Sequence, residues 1–464
     1  IKDRAVDRFS KAIRGFIIRC RTSLLDAPEL SDVIRRHKPL NDIEALFLEM
    51  AQHLHPVYLE RLLATGQEDF AGLMHRAIEA VTIGKTRWNS KKVSQGDLGK
   101  LKFLLIDEYQ DFSELFHRLV SAIRTQNSRV ELFCVGDDWQ AINRFAGSDL
   151  SYFNDFLEQR APGQRLHLTN NYRSARRVIS AGNAVMDGLG APAVPHQETD
   201  GEVLIADLAR FVPTTLEATV YPGDLVTPAV LRLVSKAVMA DKGVALLARM
   251  DGLPWYVHQQ DRTGRSTLER FLEDIRSHLP EESRTRVHAS TAHSFKGREE
   301  DWVIVLDAIA RSYPLVHPDW VFGRVFGDSL EKLLAEERRL FHVAATRAKE
   351  ALIFITESSA YSPFLESVMA RGGVTQVDWS RFPPVSRLSN RVIVKVGNPN
   401  PRGSSPTFHI RHHLQAKGFR FMTVGWVCWV KSYPAESFDV SILKDDLWAR
   451  QANGVEVRIC DDAD

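Results

Sequence analysis

Two clusters of acidic residues follow short apolar runs, and their chemistry suits a site that binds a metal ion and phosphate. The apolar run 101–106 leads into Asp107 and Glu108, and the run 132–135 leads into the polar stretch 136–140. If both runs are strands of a parallel sheet, their carboxyl ends open onto the crevice where ligands bind. Asp107 is then a candidate Mg²⁺ ligand, and Glu108 a candidate to orient or deprotonate a water. The alternative for the first cluster is a strand followed by an ordinary charged turn.

Short apolar runs separated by amphipathic stretches predict the strands that would hold these acids. Such runs are typical of strands buried on both faces of a parallel sheet, and helices alternate with them in α/β domains. Residues 1–100 are predicted to be mostly helical, with helical spacing of apolar residues at 69–78, and a further helix is predicted at 266–277. The predicted strands lie at 103–106, 132–135, 244–248, 303–306 and 352–355.

The composition is that of an ordinary globular protein and excludes several classes of function. Hydrophobic residues make up 44% and charged residues 26% of the 464 residues, a length that suggests about three domains. With a net charge of +1, any nucleic-acid surface must be a local groove and not a general basic field. There is no membrane-length apolar run, no opening signal peptide and no C-x-x-C pair among the 4 cysteines. We therefore expect a cytoplasmic protein without a membrane partner.

Five segments resemble, in order, motifs II to VI of superfamily 1 DNA helicases of the UvrD/Rep family. The amino-acid sequence of the second segment is most similar to the corresponding sequence of helicase IV-like proteins. Each segment alone is weak evidence for the family, but five segments in the order of the family are highly specific. The segments are DEYQD at 107–111, VGDDWQAINRFAG at 135–147, LTNNYRS at 168–174, TAHSFKGRE at 291–299 and EERRLFHVAATRA at 336–348.

The resemblance implies an ATP site between two RecA-like motor domains, with ATP and Mg²⁺ as cofactors. In this assignment Asp107 holds Mg²⁺, Glu108 activates the attacking water, and Gln140 contacts the γ-phosphate and reports the state of the nucleotide. Hydrolysis by such a site needs positioned charge more than covalent chemistry, because the transferred phosphoryl group carries charge on its equatorial oxygens.

The resemblance also assigns nucleotide contacts to the second motor domain. Tyr172 would stack on the adenine, Arg173 and Arg347 would reach the γ-phosphate, and Glu299 would bind the ribose side. Guanidinium groups suit this role because they stay charged and donate in a plane. Arg339 and Arg347 are eight residues apart, which predicts that both lie on roughly the same helix face and point into one cleft.

Three residues fall where the family contacts single-stranded DNA. Phe145 occupies the position of an aromatic that stacks on a base, and such stacking binds DNA without reading its sequence. His293 and Ser294 would lie near the junction of DNA and ATP. The alternatives are a core Phe145 and a structural His293. Asn143 replaces a Tyr that is common in the family, so the aromatic ring of that stacking contact is missing at this position.

The phosphate-binding loop G-x-x-x-x-G-K-[ST] does not occur in the sequence. The nearest match, Gly84-Lys85-Thr86, has Glu79 where the first glycine is required, and it follows a predicted helix instead of a strand. Relatives carry this loop well before motif II, and the first residue here is Ile1 and not Met. We therefore expect a fragment that lacks the loop and binds and hydrolyses ATP poorly on its own.

These expectations define an α/β fold with two RecA-like parallel-sheet motor domains, the first of them incomplete. Residues 1–100 would form a helical 1B-like region and the return to domain 1A, and 101–168 the remainder of 1A. Residues 169–375 would form domain 2A, and 376–464 a small C-terminal α+β module of unknown role. Too few residues separate the strand at 244–248 from motif V to hold the 2B domain found in relatives.

The C-terminal module lies outside the resemblance. His409, His412, His413 and Cys428 suggest zinc, but the paired cysteine spacing of such sites is missing, so zinc is not expected. Residues 408–429 are predicted as strand, helix, strand, with basic and aromatic residues interleaved. This pattern fits either a small module that binds nucleic acid or a partner, or an apolar core with Lys and Arg at its edge.

The function favoured by these residues is that of an ATP-dependent helicase or translocase on single-stranded or partly duplex DNA. The resemblance implies 3′→5′ polarity, and a repair or nuclease protein is a further expected partner. The alternative is a catalytically incomplete helicase-like subunit that binds DNA or acts as a scaffold in a repair or defence complex. Against this alternative, a dead site has no physical need to keep Asp107, Glu108, Gln140, Arg173 and Arg347 together.

Overall fold

The computed structural model describes two compact units of the chain. Internal contacts group residues 1–168 with 314–340, and residues 169–313 with 341–464. The segment 314–340 thus packs within the first unit, although the sequence suggested a second motor domain running through 169–375. The described residues are 2–89, 96–159, 162–221, 223–253, 255–256, 266–371, 373–385, 391–399, 406–422, 426–434, 438–444 and 454–460.

The helices and strands alternate along the chain after a helical beginning. The helices are α1 (Lys2–Thr22), α2 (Ala27–Arg36), α3 (Asp42–Thr65), α4 (Phe70–Thr82), α5 (Glu114–Gln126), α6 (Ser151–Asn154), α7 (Phe156–Gln159), α8 (Arg176–Val185), α9 (Thr215–Val220), α10 (Val226–Met239), α11 (Thr267–Ser277), α12 (Glu281–Arg284), α13 (Leu330–Ala345), α14 (Pro363–Ala370), α15 (Pro406–Ala416) and α16 (Ser441–Lys444). The strands are β1 (Arg87–Trp88), β2 (Gly96–Asp97), β3 (Phe103–Ile106), β4 (Glu131–Cys134), β5 (Asn170–Asn171), β6 (Val194–Pro195), β7 (Glu202–Asp207), β8 (Val244–Ala248), β9 (Val287–Thr291), β10 (Glu300–Val305), β11 (Ala348–Thr356), β12 (Thr375–Gln376), β13 (Arg391–Gly397), β14 (Arg420–Met422), β15 (Cys428–Pro434) and β16 (Glu456–Cys460).

The first unit begins with four helices, as the sequence predicted for residues 1–100. Their ends are set by short polar side chains that accept hydrogen bonds from otherwise unpaired backbone N–H groups. Asp26 and Glu29 form a capping box at α2, and Asn41 and Asp69 cap α3 and α4. The predicted helix at 69–78 is confirmed as α4.

A two-stranded parallel sheet, β3–β4, follows these helices and has two very different faces. Its register pairs Phe103 with Glu131 and Ile106 with Cys134. One face packs against a cluster around Tyr109, Phe112 and Val120. The opposite face is exposed although its side chains are apolar, which is unusual because parallel strands are normally covered on both faces. The exposed side chains are Phe103 (59%), Leu105 (72%), Phe133 (59%) and Val135 (43%).

A later segment of the chain packs onto the N-terminal helices within the first unit. A 3₁₀ helix, Pro318–Phe326, brings Phe322 into a stacked contact with Phe47, with ring centroids 3.7 Å apart. Arg324 pairs with Glu44 at 2.6 Å, and the Glu44 side chain is fully buried. This segment therefore fastens α3 by both apolar and charged contacts.

The second unit is built on a six-stranded parallel sheet with strand order β12-β7-β11-β10-β8-β9. Side chains of α10 and α11 cover one face together with alternate residues of β7, β8, β10 and β11. On the other face Phe341 of α13 stacks on Phe354 of β11. Burial on both faces explains the continuous apolar runs, and the α/β fold class with parallel sheets is confirmed.

The predicted strands coincide with β3, β4, β8, β10 and β11 to within a few residues, and α11 confirms the helix at 266–277. Three strands of the large sheet were not predicted, β7 (Glu202–Asp207), β9 (Val287–Thr291) and β12 (Thr375–Gln376). β9 carries polar residues at its exposed positions because it lies at the edge of the sheet. An edge strand has one partner only, so its apolar run is interrupted.

The C-terminal module is an antiparallel sheet of order β14-β15-β13-β16 with α15 beside it. Ile393, Cys428 and Val430 belong to the core that α10 and α11 share with the large sheet, so the module packs onto the second unit. The predicted order strand, helix, strand for 408–429 is wrong, because residues 408–416 lie in α15 and two strands follow. Helical spacing of Ile410 and Leu414 buries them together.

The aromatic residues of this module mostly form a core. Phe419 and Trp429 are 2% and 7% exposed, and Lys431 lies with its Nζ 4.6 Å from the centre of the Tyr433 ring. Phe419 and Trp429 therefore belong to an apolar core, whereas Phe408 and Phe421 are 58% and 53% exposed. In the described part of the chain no group of three or more His, Cys, Asp or Glu side chains is arranged to hold a metal ion. No helix there is long and apolar enough to cross a membrane.

Glu44→Gln should destabilise the first unit by about 2 kcal/mol, because hydrogen bonds to a charged group contribute roughly 1.5–3 kcal/mol. Burial by itself would raise the pKa of Glu44, but hydrogen bonds from the Leu40 N–H, His37 and Arg324 outweigh it and lower the pKa. This stabilisation is present above the pKa of the unfolded carboxyl and is lost as the pH falls through the folded pKa. Thermal unfolding between pH 3 and pH 7 measures it.

Glu49→Gln is the matched control, since Glu49 lies exposed on the same helix. The two variants should differ at neutral pH and converge in acid. Equal stability of both variants at pH 7 would contradict the role of Glu44.

Candidate functional site

The first acidic cluster lies on a turn directly after β3. Asp107 accepts a hydrogen bond from the backbone N–H of Glu108 at 2.9 Å, and both side chains are exposed. Glu108 has φ +52° and ψ +40°, a left-handed conformation that costs a non-glycine residue roughly 1 kcal/mol. Two exposed carboxylates at a strand end supply the hard oxygen ligands that Mg²⁺ prefers.

Gln110 joins this turn to the one that follows β4, and sequence reasoning missed its role. Its amide NH₂ donates to Glu108, and its carbonyl oxygen accepts from the backbone N–H of Asp137 at 2.8 Å. The side chain is 1% exposed, so both hydrogen bonds are shielded from water. The Tyr109 N–H also donates to the Val135 carbonyl at 2.8 Å. The polar Gln after the acids in DEYQD was the only signal for it.

Gln140 lies on the turn after β4, where the sequence placed it. Its side-chain amide donates to Asp137 at 2.7 Å, and Asp137 also caps the 3₁₀ turn through the Trp139 N–H at 3.0 Å. Burial, and then the neighbouring Asp137, raises the pKa of Asp138, while Arg339 opposes the shift. Asp107, Glu108 and Gln140 therefore belong to one polar group of two hydrogen-bonded turns.

Phe145 lies on a 3₁₀ turn, Arg144–Ala146, and its ring is 66% exposed. This exposure rules out the alternative of a core residue. The turn ends at Gly147 with φ +92°, and a Cβ there would lie 2.4 Å from Oγ1 of Thr22. Glycine is thus required both by the backbone and by the close approach of α1. The Asn143 side-chain amide donates a hydrogen bond to Asp111 at 2.8 Å, and this bond stabilises the turn.

Charged residues fix the Phe145 turn to the segment 327–339 of the same unit. The Arg144 N–H donates to Glu336 at 3.1 Å, and its guanidinium pairs with Asp328 at 2.6 Å. Asp328 is also bound by Arg19 of α1. Burial would raise the pKa of Asp328, but Arg19 and Arg144 outweigh it and lower the pKa. Burial lowers the pKa of the Arg339 guanidinium, although the nearby carboxyl groups of Asp138 and Glu336 act to raise it.

In the second unit Tyr172 follows β5 and is 63% exposed. Its ring centroid lies 4.2 Å from that of His196, with the planes tilted by 46°. Gln197 holds the backbone by donating to the Tyr172 carbonyl at 2.7 Å. The ring is therefore supported on one side and open to solvent elsewhere.

Arg173 and Glu299 are brought together within this unit and form an ion pair. Lys349 approaches the other oxygen of Glu299 at 3.3 Å. Burial would raise the pKa of Glu299, but Arg173 and Lys349 outweigh it, so the pKa is lowered and the carboxylate stays charged. Lys349 was not among the residues chosen from the sequence.

Arg347 is 2% exposed and donates to the Val343 carbonyl at 3.0 Å. The expectation that Arg339 and Arg347 lie on one helix face is wrong, because α13 ends at Ala345 and Arg347 occupies the turn before β11. A guanidinium in this position is held by the backbone around it. The sequence could not show where the helix ended.

His293 and Ser294 lie on the turn after β9. Burial, and then Arg249, lowers the pKa of His293 to about 4, so the imidazole is neutral at neutral pH. Ser294 is exposed, and its hydroxyl lies 3.0 Å from that of Thr291. Nearby, Asp307 accepts the Arg249 N–H at 3.2 Å, and burial raises its pKa to about 6.

Gly84-Lys85-Thr86 is not a phosphate-binding loop. It follows helix α4, and the N–H groups of Gly84 and Lys85 donate to the Val81 and Ala80 carbonyls, both at 2.9 Å. A phosphate cradle needs such N–H groups free and directed at the ligand. The prediction that this match follows a helix instead of a strand is confirmed.

Two family models match the chain. The UvrD/REP helicase N-terminal domain matches residues 3–161, and the UvrD-like helicase C-terminal domain matches residues 252–359. These two ranges contain motifs II, III, V and VI as identified in the sequence.

Curated relatives share part of their length with the chain. DNA helicase IV of Escherichia coli (strain K12) is 28% identical over 330 residues, which covers 70% of this chain and 42% of the relative. A probable DNA helicase of Mycoplasma pneumoniae is 25% identical over 65% of this chain and 51% of its own length. DNA helicase II of Salmonella typhimurium is 28% identical over 32% of this chain and 20% of its own length. The chain thus spans about half or less of the length of these relatives.

Glu336→Gln should change how stability depends on pH. Burial raises the pKa of Glu336 to about 7, while the unfolded carboxyl titrates at roughly 4.3. Between these values the folded protein binds the extra proton, so the stability of the wild-type protein should fall as the pH rises. The decline is at most about 1.4 kcal/mol per pH unit, and Glu336→Gln should lack it. Thermal unfolding from pH 5 to pH 8 measures it.

Glu331→Gln, an exposed substitution on the same helix, should keep the wild-type profile. If wild type and Glu336→Gln instead gave parallel profiles, Glu336 would not be the group that titrates.

Proposed function

The chain belongs to the UvrD/Rep family of helicases, and we propose that it forms part of an ATP-driven motor on single-stranded DNA. The observation that carries this proposal is the joined pair of turns after β3 and β4. Acidic residues and two glutamines are held there by hydrogen bonds at the carboxyl ends of adjacent parallel strands. That edge of a parallel sheet is where α/β proteins bind their ligands.

We propose that Asp107 holds Mg²⁺ and that Glu108 orients or deprotonates the water that attacks ATP. The left-handed backbone of Glu108 fixes the direction of its side chain at a cost in conformational energy. Strain of this kind persists where the surrounding structure overdetermines the conformation, as Gln110 does here. Gln140 would sense the γ-phosphate, since its amide is already tied to the same turn through Asp137.

Arg173 and Arg347 are proposed to stabilise the charge that develops on the γ-phosphate. Arg173 is neutralised by Glu299 in this structure, so contact with phosphate would require the guanidinium to exchange one anion for another. Glu299 would then be free for the ribose hydroxyls, with Lys349 still beside it. Tyr172 offers the adenine an exposed ring supported by His196.

Single-stranded DNA is proposed to stack on Phe145. The ring is exposed, and the turn that carries it is held by Gly147 and by the ion pairs of Arg144. Ser294 and His293 would add hydrogen bonds, and a neutral imidazole suits a base or sugar better than a phosphate. A 3′→5′ direction and a repair or nuclease partner are proposals that come from the family resemblance.

We further propose that a segment outside this chain supplies the phosphate-binding loop and completes the first sheet. The exposed apolar face of β3–β4 supports this, because four large side chains on one face of a parallel sheet are normally covered. Leu166 and Leu168 are also exposed, by 83% and 92%, in the extended stretch before motif IV. A strand and helix packed on the exposed face of β3–β4 would bury the four large side chains of that face.

Glu108→Gln in the full-length protein should leave ATP binding intact and reduce DNA-stimulated hydrolysis by at least about 100-fold, the usual contribution of a positioned acid or base. The amide can still accept the hydrogen bond from Gln110, so the turn should keep its shape. The measurement is phosphate release with and without single-stranded DNA, beside nucleotide binding. Normal turnover by this variant would remove Glu108 from the role.

Phe145→Ala should weaken binding of single-stranded DNA by about 1–3 kcal/mol, the contribution of one stacked base. Translocation should fall more than ATP hydrolysis, because the lost contact grips DNA and not nucleotide. Phe408→Ala, with a ring 58% exposed in the other unit, is the matched control. Anisotropy of a labelled oligothymidylate measures the affinity, and equal losses in the two variants would count against the assignment.

A further inference from the structure

A hairpin in the first unit borders an open cavity that lies outside the helicase motifs. β1 and β2 pair antiparallel, with Arg87 opposite Asp97 and Trp88 opposite Gly96. The cavity beside them has a volume of about 680 Å³. The charged groups that line it are three cations, Lys85, Arg87 and Lys100, and one carboxylate, Asp97.

The Asp97 carboxylate already has hydrogen-bond and ion-pair partners within the protein. Asp97 accepts hydrogen bonds from the Thr86 hydroxyl at 2.8 Å and the Gly99 N–H at 2.9 Å, and it pairs with Arg87 at 3.3 Å. The hydrogen bonds from Thr86 and Gly99 lower the pKa of Asp97. Asp97 therefore stays charged and offsets one of the three cations.

Lys85 and Lys100, the other two cations of the cavity, have no carboxylate partner among the described residues. In the described part of the chain, neither the Lys85 nor the Lys100 side chain forms a hydrogen bond or ion pair, and both are exposed. The whole chain has a net charge of only +1, so an uncompensated pair at one cavity is a local feature. Such a site attracts anions, and the field extends about 10 Å at moderate salt.

The hairpin that carries these groups is held in a fixed register. The Trp88 ring covers Gly96 so closely that a Cβ on Gly96 would lie 2.0 Å from it. Only glycine fits under the ring. Because Trp88 and Arg87 are adjacent in a strand, they lie on opposite faces, and packing on one face fixes the cation on the other.

We propose that this cavity binds phosphates of the DNA strand on which the motor works. The proposal rests on the proposed function, which supplies the polyanion. Lys85 and Lys100 each would neutralise one phosphate, in a contact that carries no sequence information. No apolar side chain lines the cavity, so its described lining offers nothing to a lipid chain or a stacked base.

The test is the salt dependence of oligothymidylate binding to the 464-residue chain, measured by anisotropy over a range of KCl concentrations. Each phosphate contact on a single strand contributes about 0.7 to the slope of log K against log salt. Lys85→Ala/Lys100→Ala should therefore lower the slope by about 1.4 and weaken binding several-fold at low salt.

Two further variants make the result specific. Lys38→Ala/Lys236→Ala removes the same charge from exposed lysines that form no ion pair in the described part of the chain, and it should keep the wild-type slope. Lys85→Arg/Lys100→Arg keeps both charges and should also keep it. All variants should unfold at the wild-type temperature, since the substitutions are exposed.

An unchanged slope in Lys85→Ala/Lys100→Ala, with normal wild-type binding, would overturn this inference and leave the proposed function standing. An equal fall in the control variant would also overturn it, because the effect would then be one of general charge. Failure of the wild-type chain to bind the oligonucleotide would overturn the proposed function and this inference with it.

Discussion

The hydrogen bonds of Gln110 are the constraint on which the polar turns after β3 and β4 depend. One buried amide ties the turn after β3 to the turn after β4, so the carboxylate of Glu108 and the backbone of Asp137 cannot move independently. Burial strengthens these bonds and makes their loss expensive, since an unpaired amide would remain without water. The left-handed Glu108 is held within the same frame. A carboxylate on a flexible turn would sample many directions, whereas the hydrogen bond from Gln110 restrains the carboxylate of Glu108 before any ligand arrives.

In both units several charged residues of the candidate site form ion pairs with each other, and these pairs limit what each side chain can do. Arg144 and Arg19 share Asp328 in the first unit, and Arg173 pairs with Glu299 in the second. Under the proposed function, a phosphate at Arg173 would have to replace the carboxylate of Glu299, so binding and release would exchange one anionic partner for another. The Arg144 pairs are shielded from water and hold the Phe145 turn. Exposed pairs are easily exchanged, whereas shielded pairs fix structure.

The sequence was informative where the physics is local or periodic. Strands buried on both faces produce continuous apolar runs, and β8, β10 and β11 were found from them. The motifs also located Glu108, Gln140 and Tyr172 at strand ends. Partners across long sequence distances could not be found, because nothing in the chain reveals that Glu336 receives the Arg144 N–H or that Lys349 meets Glu299. Residues 408–416 were misjudged because aromatic and β-branched residues suit strands, while packing of Ile410 and Leu414 selects a helix.

Gly84-Lys85-Thr86 shows why context decides what a short motif does. The same three residue types bind phosphate when a strand leads into them and a helix follows, because their N–H groups then point at the ligand. Here a helix leads in, and its last carbonyls take those N–H groups. What remains is the Lys85 ammonium, which lines the same cavity as Lys100; among the described residues neither lysine forms an ion pair. A charge of this kind cannot orient a triphosphate for hydrolysis, but it can attract a phosphate of a long polyanion, where position along the strand does not matter.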